Sequence, residues 1–221
     1  MMTEHHKGYK GLPMEGCIAT WYAKNTRKDM GEFRQLATVV TAQIAAGSRI
    51  LEIAPGPGYL AIELAKLGTY TIVGLDISAS FVRIATQNAR TAGVNIEFRR
   101  GDAAAMPFDA ASFDFIICRA AFKNFTEPLK ALHEMHRVLK VGGKALIVDL
   151  RPDVAPEAID TYVQNMDFHR LDALITKWVF KHMLIKRAYS QEQLRNMVAA
   201  TPFKTCDIQE NAIGLEVSLF K

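Results

Sequence analysis

Cysteine is scarce in this chain: Cys17, Cys118 and Cys206 are far apart and odd in number. No CxxC pair occurs, and the six histidines are scattered without zinc-ligand spacing, so neither a disulfide framework nor a metal site is signalled. There is no run of 18 apolar residues, and the opening MMTEHHKGYKGLP lacks the apolar centre of a signal peptide. These absences predict a protein of the reducing cytoplasm with no membrane insertion. Charge of one sign is missing as well. The 27 Lys and Arg against 23 Asp and Glu leave +4, with no arginine-rich tract behind it, which argues against a nucleic-acid partner. With 49% hydrophobic and 23% charged residues, wholesale disorder, a collagen repeat and a coiled-coil rod are excluded. The 221 residues make one domain, or a domain with an added cap, long enough to bury about 70% of the unfolded surface.

Positions 1–16 are polar and broken by Gly8, Gly11, Pro13 and Gly16, and read as a flexible arm. From Ile18 to Ala46 the pattern is helical, with Phe33, Leu36, Val39, Val40 and Ile44 at spacings of three and four before the expected C-cap Gly47. Short apolar strands then alternate with helices. Strands are predicted over 49–53, 70–76, 95–100, 113–118 and 144–150, and helices over 60–67, 78–93 and 127–140, the last ended by Gly142 and Gly143. This alternation predicts a parallel sheet covered on both faces, with right-handed crossovers and its site at the C-terminal strand ends. Residues 156–186 are helical by period with a break near 168–170. Ser190 and Gln193 then spell a capping box, and strands over 203–210 and 213–220 close the chain as an antiparallel hairpin.

The sharpest local feature is RILEIAPGPGYLAIEL, a strand ending at Glu52 and Ile53 followed at once by a glycine turn and a helix. Gly56 and Gly58 would let a ligand lie against the backbone near the helix N-terminus, while Pro55 and Pro57 stiffen the loop and remove two donors. Alone, such a loop is also an ordinary tight turn. Asp76, at the end of the next strand, can take both hydroxyls of a ribose or act as an N-cap, for which Ser78 competes. Asp102, after the strand 95–100, can meet an exocyclic amine or tighten its turn. Three such features at consecutive strand ends point to one adenosine-bearing ligand. A nicotinamide dinucleotide is disfavoured: GxGxxG is replaced by AxGxG from Ala54, and Glu52 would repel a diphosphate. The same carboxylate suits an ammonium or sulfonium group.

With these motifs the chain resembles the class I S-adenosylmethionine-dependent methyltransferases, in the branch of the ubiquinone/menaquinone biosynthesis enzymes. LEIAPGPG (51–58), VGLDIS (73–78), GDAAAMPF (101–108), FDFIICRAAFKNF (113–125) and HRVLKVGGKALIVDL (136–150) carry the resemblance. It implies an α/β fold with a Rossmann-like seven-stranded methyltransferase sheet, mostly parallel with an antiparallel C-terminal strand, helices on both faces and a helical cap. It implies an N-terminal arm and lid over 1–46, a cofactor-binding domain over 47–221, and a cap inserted at about 156–189. The cofactor would be S-adenosyl-L-methionine, with S-adenosyl-L-homocysteine as product. Glu52, Ala54, Pro55, Gly56 and Gly58 would hold its methionyl portion, Asp76 the ribose, Ile77, Asp102 and Ala103 the adenine, and Tyr22 would close over it. Arg119 would line the cavity shared by cofactor and acceptor.

Two departures stand out. Ala54 replaces the first glycine of ExGxGxG, and CRAAFKNF lacks the histidine often found after the fourth strand, offering Arg119 and Lys123 instead. Arg119, Lys123, His169 and Tyr189 are the candidate catalytic residues, with Arg170, Tyr162 and His182 beside them on the acceptor side. His133 and His136 fall on an outer helix and read as packing residues. Methyl transfer from a sulfonium needs alignment and exclusion of water and requires no metal. The covering helices favour a small-molecule substrate. The competing readings are a macromolecular methyltransferase, a non-catalytic cofactor binder and an NAD-dependent oxidoreductase, and a homodimer stays open.

Overall fold

The computed structural model describes residues 8–11, 13–164 and 184–221. Seven strands form one sheet: β1 (Arg49–Ile53), β2 (Thr71–Asp76), β3 (Glu97–Arg100), β4 (Phe113–Arg119), β5 (Leu139–Leu150), β6 (Asp207–Glu210) and β7 (Gly214–Phe220). Their order is β3-β2-β1-β4-β5-β7-β6. All neighbouring pairs from β3 to β5 are parallel, and β7 runs antiparallel to both β5 and β6. The direction of strand addition therefore switches between β1 and β4, and open sheets of this kind bind their ligands beyond the carboxyl ends at such a switch.

Seven helices accompany the sheet among the described residues: α1 (Gly16–Thr26), α2 (Met30–Thr41), α3 (Tyr59–Leu67), α4 (Ala79–Thr91), α5 (Pro128–Val138), α6 (Pro156–Gln164) and α7 (Gln191–Ala199). Alternation along each strand sends side chains to two cores. Leu51 and Ile53 join Ile116, Cys118 and the buried faces of α5 and α7, whereas Ile50, Phe115 and Ile117 pack with Phe33, Ala37 and Val40 of α2 and Leu60 and Leu64 of α3. The parity matters for function. Glu52 and Arg119 share the second face, so both side chains emerge beneath α2 and α3.

Three local expectations are corrected. The helix before β5 ends at Val138, and the strand starts at Leu139, which pairs with Phe113. Gly142 and Gly143 therefore bend a strand rather than end a helix: Gly142 has φ +79°, and a Cβ on Gly143 would lie 2.9 Å from the Asp114 carbonyl. Likewise, α2 stops at Thr41, and Gly47 shapes the turn into β1, its N–H donating to the Thr69 carbonyl at 2.7 Å. Part of the predicted flexible arm is held in place. Tyr9 forms a bridge with Phe125, and the Lys10 N–H donates to the Asn124 carbonyl at 2.7 Å. The Ser190–Gln193 capping box is present as expected.

Candidate active site

Loop 54–58 is wound tightly because three of its residues are left-handed: Ala54 (φ +54°), Gly56 (+55°) and Gly58 (+78°). The Gly58 N–H donates to the Pro55 carbonyl at 3.0 Å and closes the turn. A Cβ on Gly58 would strike Ala85 and Phe98 at 2.9 Å, so this glycine lets α4 and β3 approach. Gly56 differs. Its missing Cβ would meet only Tyr22, at 3.9 Å, and leaves a cradle between the loop and that ring.

Around the cradle stand the acids singled out above. Glu52 is 3% exposed, and its Oε2 has no hydrogen-bond partner among the described residues. Burial raises its pKa to about 8, against the pull of the Ala61 N–H and the Arg119 guanidinium. Asp76 accepts from the Gly56 N–H (3.0 Å) and the Ser78 N–H (2.9 Å), and burial still lifts it to about 6. Ser78 itself caps α4 by accepting from the Phe81 N–H. Ser78 is thus the cap of α4, and Asp76 braces the glycine loop. Asp102 accepts from the Ala104 N–H at 2.9 Å, while Ala103 is half-buried against the core. The N-terminal strap passes directly over them, since a Cβ on Gly8 would touch the Asp102 carboxylate at 2.5 Å and Ile77 at 2.6 Å. Tyr22 packs edge-on against Phe81 with centroids 5.6 Å apart.

A second cluster lies above β4 and β5. Arg119 stacks over the Phe33 ring at 4.5 Å and donates to Glu32 at 2.7 Å, and the Tyr162 hydroxyl reaches the same Glu32 oxygen at 3.3 Å. Lys123 is buried, and its ammonium is committed to Asp149 (2.6 Å) and the Ala120 carbonyl (2.7 Å). Tyr189 packs against Phe122 and accepts from Lys10 Nζ at 2.9 Å. His169, Arg170 and His182 lie outside the described residues. His136 packs edge-on against Phe203 with centroids 5.0 Å apart, consistent with a packing role.

Sequence reasoning missed Glu32, Asp149 and the strap residues Gly8 to Lys10. Asp149 was recoverable as a carboxylate ending an apolar strand. Glu32 was not, because a helix's charged face does not reveal which strand end it overhangs. Among the described residues no group of His, Cys, Asp or Glu is arranged to hold a metal ion, and no helix is long and apolar enough to cross a membrane.

A methyltransferase-domain family model matches residues 51–147. A demethylmenaquinone methyltransferase of Deinococcus radiodurans is 31% identical over 210 residues, covering 90% of this chain and 87% of that protein. A ubiquinone/menaquinone biosynthesis C-methyltransferase of Blochmanniella pennsylvanica is 30% identical over 194 residues, covering 81% of this chain and 75% of its own. In fold, a candidate S-adenosyl-L-methionine-dependent methyltransferase from Methanococcus maripaludis superposes with a TM-score of 0.76 at 21% identity, over 100% of this chain and 97% of that one. The chain belongs to the class I S-adenosylmethionine-dependent methyltransferases, in the branch of the ubiquinone and menaquinone biosynthesis enzymes. It is an enzyme that uses S-adenosylmethionine and yields S-adenosylhomocysteine.

The chain's own atoms fit that cofactor. Glu52 Oε2 is a buried acceptor with room for a cationic donor, and the space beside Gly56 admits a ligand against bare backbone. A pyrophosphate would instead face Glu52 and a loop with two prolines in place of two amide donors.

Proposed function

We propose that this enzyme methylates a small aromatic acceptor of the quinone type, and that the residues of both clusters divide the work as follows. Glu52 and loop 54–58, including Ala54, Pro55, Gly56 and Gly58, hold the methionyl end of the cofactor. Asp76 takes the ribose hydroxyls, Ile77 and Ala103 flank the adenine, Asp102 accepts from its amine, and Tyr22 closes the cradle. The bound cofactor supplies an activated methyl group on a sulfonium. Everything else is positioning and dryness.

Arg119 of the second cluster interacts electrostatically with Glu52 and Tyr22 of the first, and its guanidinium can orient an acceptor oxygen once it is drawn from Glu32. Lys123 acts as a positioning residue, tying the loop after β4 to the end of β5 through Asp149. A phenolic acceptor must shed a proton as its ring becomes nucleophilic, and in this reading the Tyr189 hydroxyl, which accepts from Lys10 Nζ, relays it. His169 stays a candidate acceptor-side residue by its place in the 156–189 segment alone. Residues 1–46 and 156–189 read as the cover, and the free thiols Cys17, Cys118 and Cys206 suit a reducing cytoplasm.

The observation that carries this reading is the aromatic setting of Arg119, which stacks over the Phe33 ring at 4.5 Å and shares Glu32 with the Tyr162 hydroxyl. The two relatives named for quinone biosynthesis support it. The test is transfer of labelled methyl from S-adenosylmethionine to a short-chain demethylmenaquinol-type hydroquinone, a catechol, total RNA and a protein lysate. Label is expected in the hydroquinone, with kcat about 100-fold lower in Tyr189→Phe. Label confined to RNA or protein would overturn the proposal.

A further inference from the structure

Helices α1 and α4 pack against each other, and neither contains a single Asp or Glu. What they and the turn after α1 turn outward carries basic and apolar residues, with Thr20, Gln87 and Thr91 as neutral polar neighbours. Lys24, Arg27, Arg83 and Arg90 are exposed, as are Cys17, Ile18 and Trp21. Trp21 is 54% exposed and Ile18 39%, large values for residues of this size on a well-packed helix. Positions 17, 21 and 24 recur at spacings of four and three, so Cys17, Trp21 and Lys24 form one stripe with Ile18 beside it. The opposite stripe faces the site: Ala19 is fully buried, Tyr22 lies over Gly56, and the Ala23 carbonyl accepts from the Tyr59 hydroxyl at 3.0 Å.

Three acids lie nearby: Asp29, in the turn itself, is half-buried and interacts with Glu32, Arg119 and Lys28, and the other two are engaged elsewhere. Glu15 accepts from the Ala79 and Ser80 amides at the start of α4, and Glu32 from Arg119 and Tyr162. The helix that roofs the cofactor cradle thus presents to its surroundings a tryptophan and an isoleucine on one face with Lys24, next to a helix whose Arg83 and Arg90 are exposed.

We propose that the α1–α4 face docks the enzyme on an anionic phospholipid bilayer, with Trp21 and Ile18 entering the headgroup layer and Lys24, Arg27, Arg83 and Arg90 lying over lipid phosphates. The charge is complementary to such a surface, and the apolar centre distinguishes it from a nucleic-acid face, where cations would continue across the middle. Tryptophan is a preferred anchor at this depth because its ring is apolar and its N–H finds water or headgroup partners. The docking rests on the acceptor reading above for its purpose: a lipophilic quinone resides in the bilayer, and a roof helix lying on that bilayer brings the cavity to its substrate.

The experiment is vesicle flotation of the full-length protein with phosphatidylcholine alone and with phosphatidylcholine containing phosphatidylglycerol. A Trp178→Phe background leaves Trp21 as the one tryptophan, since the chain has two. Binding to the anionic vesicles is expected, with a blue-shifted Trp21 emission and loss at high salt. Each cation neutralised is expected to weaken partition about fivefold, so Arg83→Gln with Arg90→Gln together cost about 25-fold. Cofactor affinity should not change in that variant. Equal partition to neutral and anionic vesicles, an unshifted Trp21 emission, preferential capture of RNA, or burial of Trp21 in a second copy of the chain would each overturn the docking. Vesicle binding without hydroquinone methylation would leave the surface standing and remove the acceptor reading. Methylation without vesicle binding would do the reverse.

Discussion

Glu52 carries the chemistry of recognition at the scale of one side chain. Its carboxyl is protonated at neutral pH because burial raises its pKa to about 8, and a cationic group brought against it would draw the proton off. Cofactor binding at pH 7 is therefore expected to release protons. Titration calorimetry in buffers of different ionisation enthalpy reads that release directly, and Glu52→Gln should abolish it while weakening binding by about 1.5–3 kcal/mol. Binding without proton release would mean that Glu52 does not meet the ligand's charge. The backbone beside it makes a separate test. Gly58→Ala adds a Cβ at 2.9 Å from Ala85 and Phe98 in a left-handed residue and is expected to cost about 2–4 kcal/mol in denaturant unfolding. Ala54→Gly relieves the opposite problem and is expected to stabilise by about 0–1 kcal/mol, the strain relieved being partly offset by unfolded-chain entropy. Glu52, Asp76 and Asp102 were legible in the sequence because strand-end positions follow from strand boundaries alone. The partners of Arg119 and Lys123 were not, since they come from other elements.

Among the elements, the connection from β4 to α5 depends on one buried ion pair. Asp149, near the end of β5, accepts from both the backbone N–H and the ammonium of Lys123, and Ala120 at φ +57° is held by that same ammonium through its carbonyl. Removing one partner leaves a buried charge alone, so Lys123→Ala is expected to cost about 3–5 kcal/mol. Lys123→Met with Asp149→Leu should recover much of that in thermal unfolding, and a double variant as damaged as the single one would contradict the ion-pair account. Sheet elements were read well from sequence because buried parallel strands stand out as apolar runs between turn residues. Element ends were read less well where pairing decided them. Leu139 continues the helical spacing of α5, yet its pairing with Phe113 draws it into β5, and Gly142 and Gly143 then bend within the strand. The strap over Asp102 was illegible for a similar reason: residues 8–11 have the composition of a loose arm, and their contacts with 124–126, Asp102 and Tyr189 fix them.

For the whole molecule, burial raises the pKa of several carboxyls in the ligand-free fold. Glu52 rises from 4.5 to about 8, and Asp29 and Asp76 each rise from 3.8 to about 6. The folded chain then binds more protons than the unfolded chain across these windows, so stability falls as pH rises from about 4 to 8. The melting temperature of the free enzyme is expected to drop between pH 5 and 8, and saturating cofactor should flatten that slope by supplying Glu52 with a counter-charge. At the same scale, the carboxyl ends of β1, β2 and β3 together make a sulfonium-adenosine site. Calorimetric titration with S-adenosylmethionine and S-adenosylhomocysteine, with NAD as control, tests it most directly. Micromolar binding of both sulfur ligands, lost in Asp76→Ala and absent for NAD, is the expected result. Binding of NAD alone, or sulfur-ligand binding indifferent to Asp76→Ala, would contradict it.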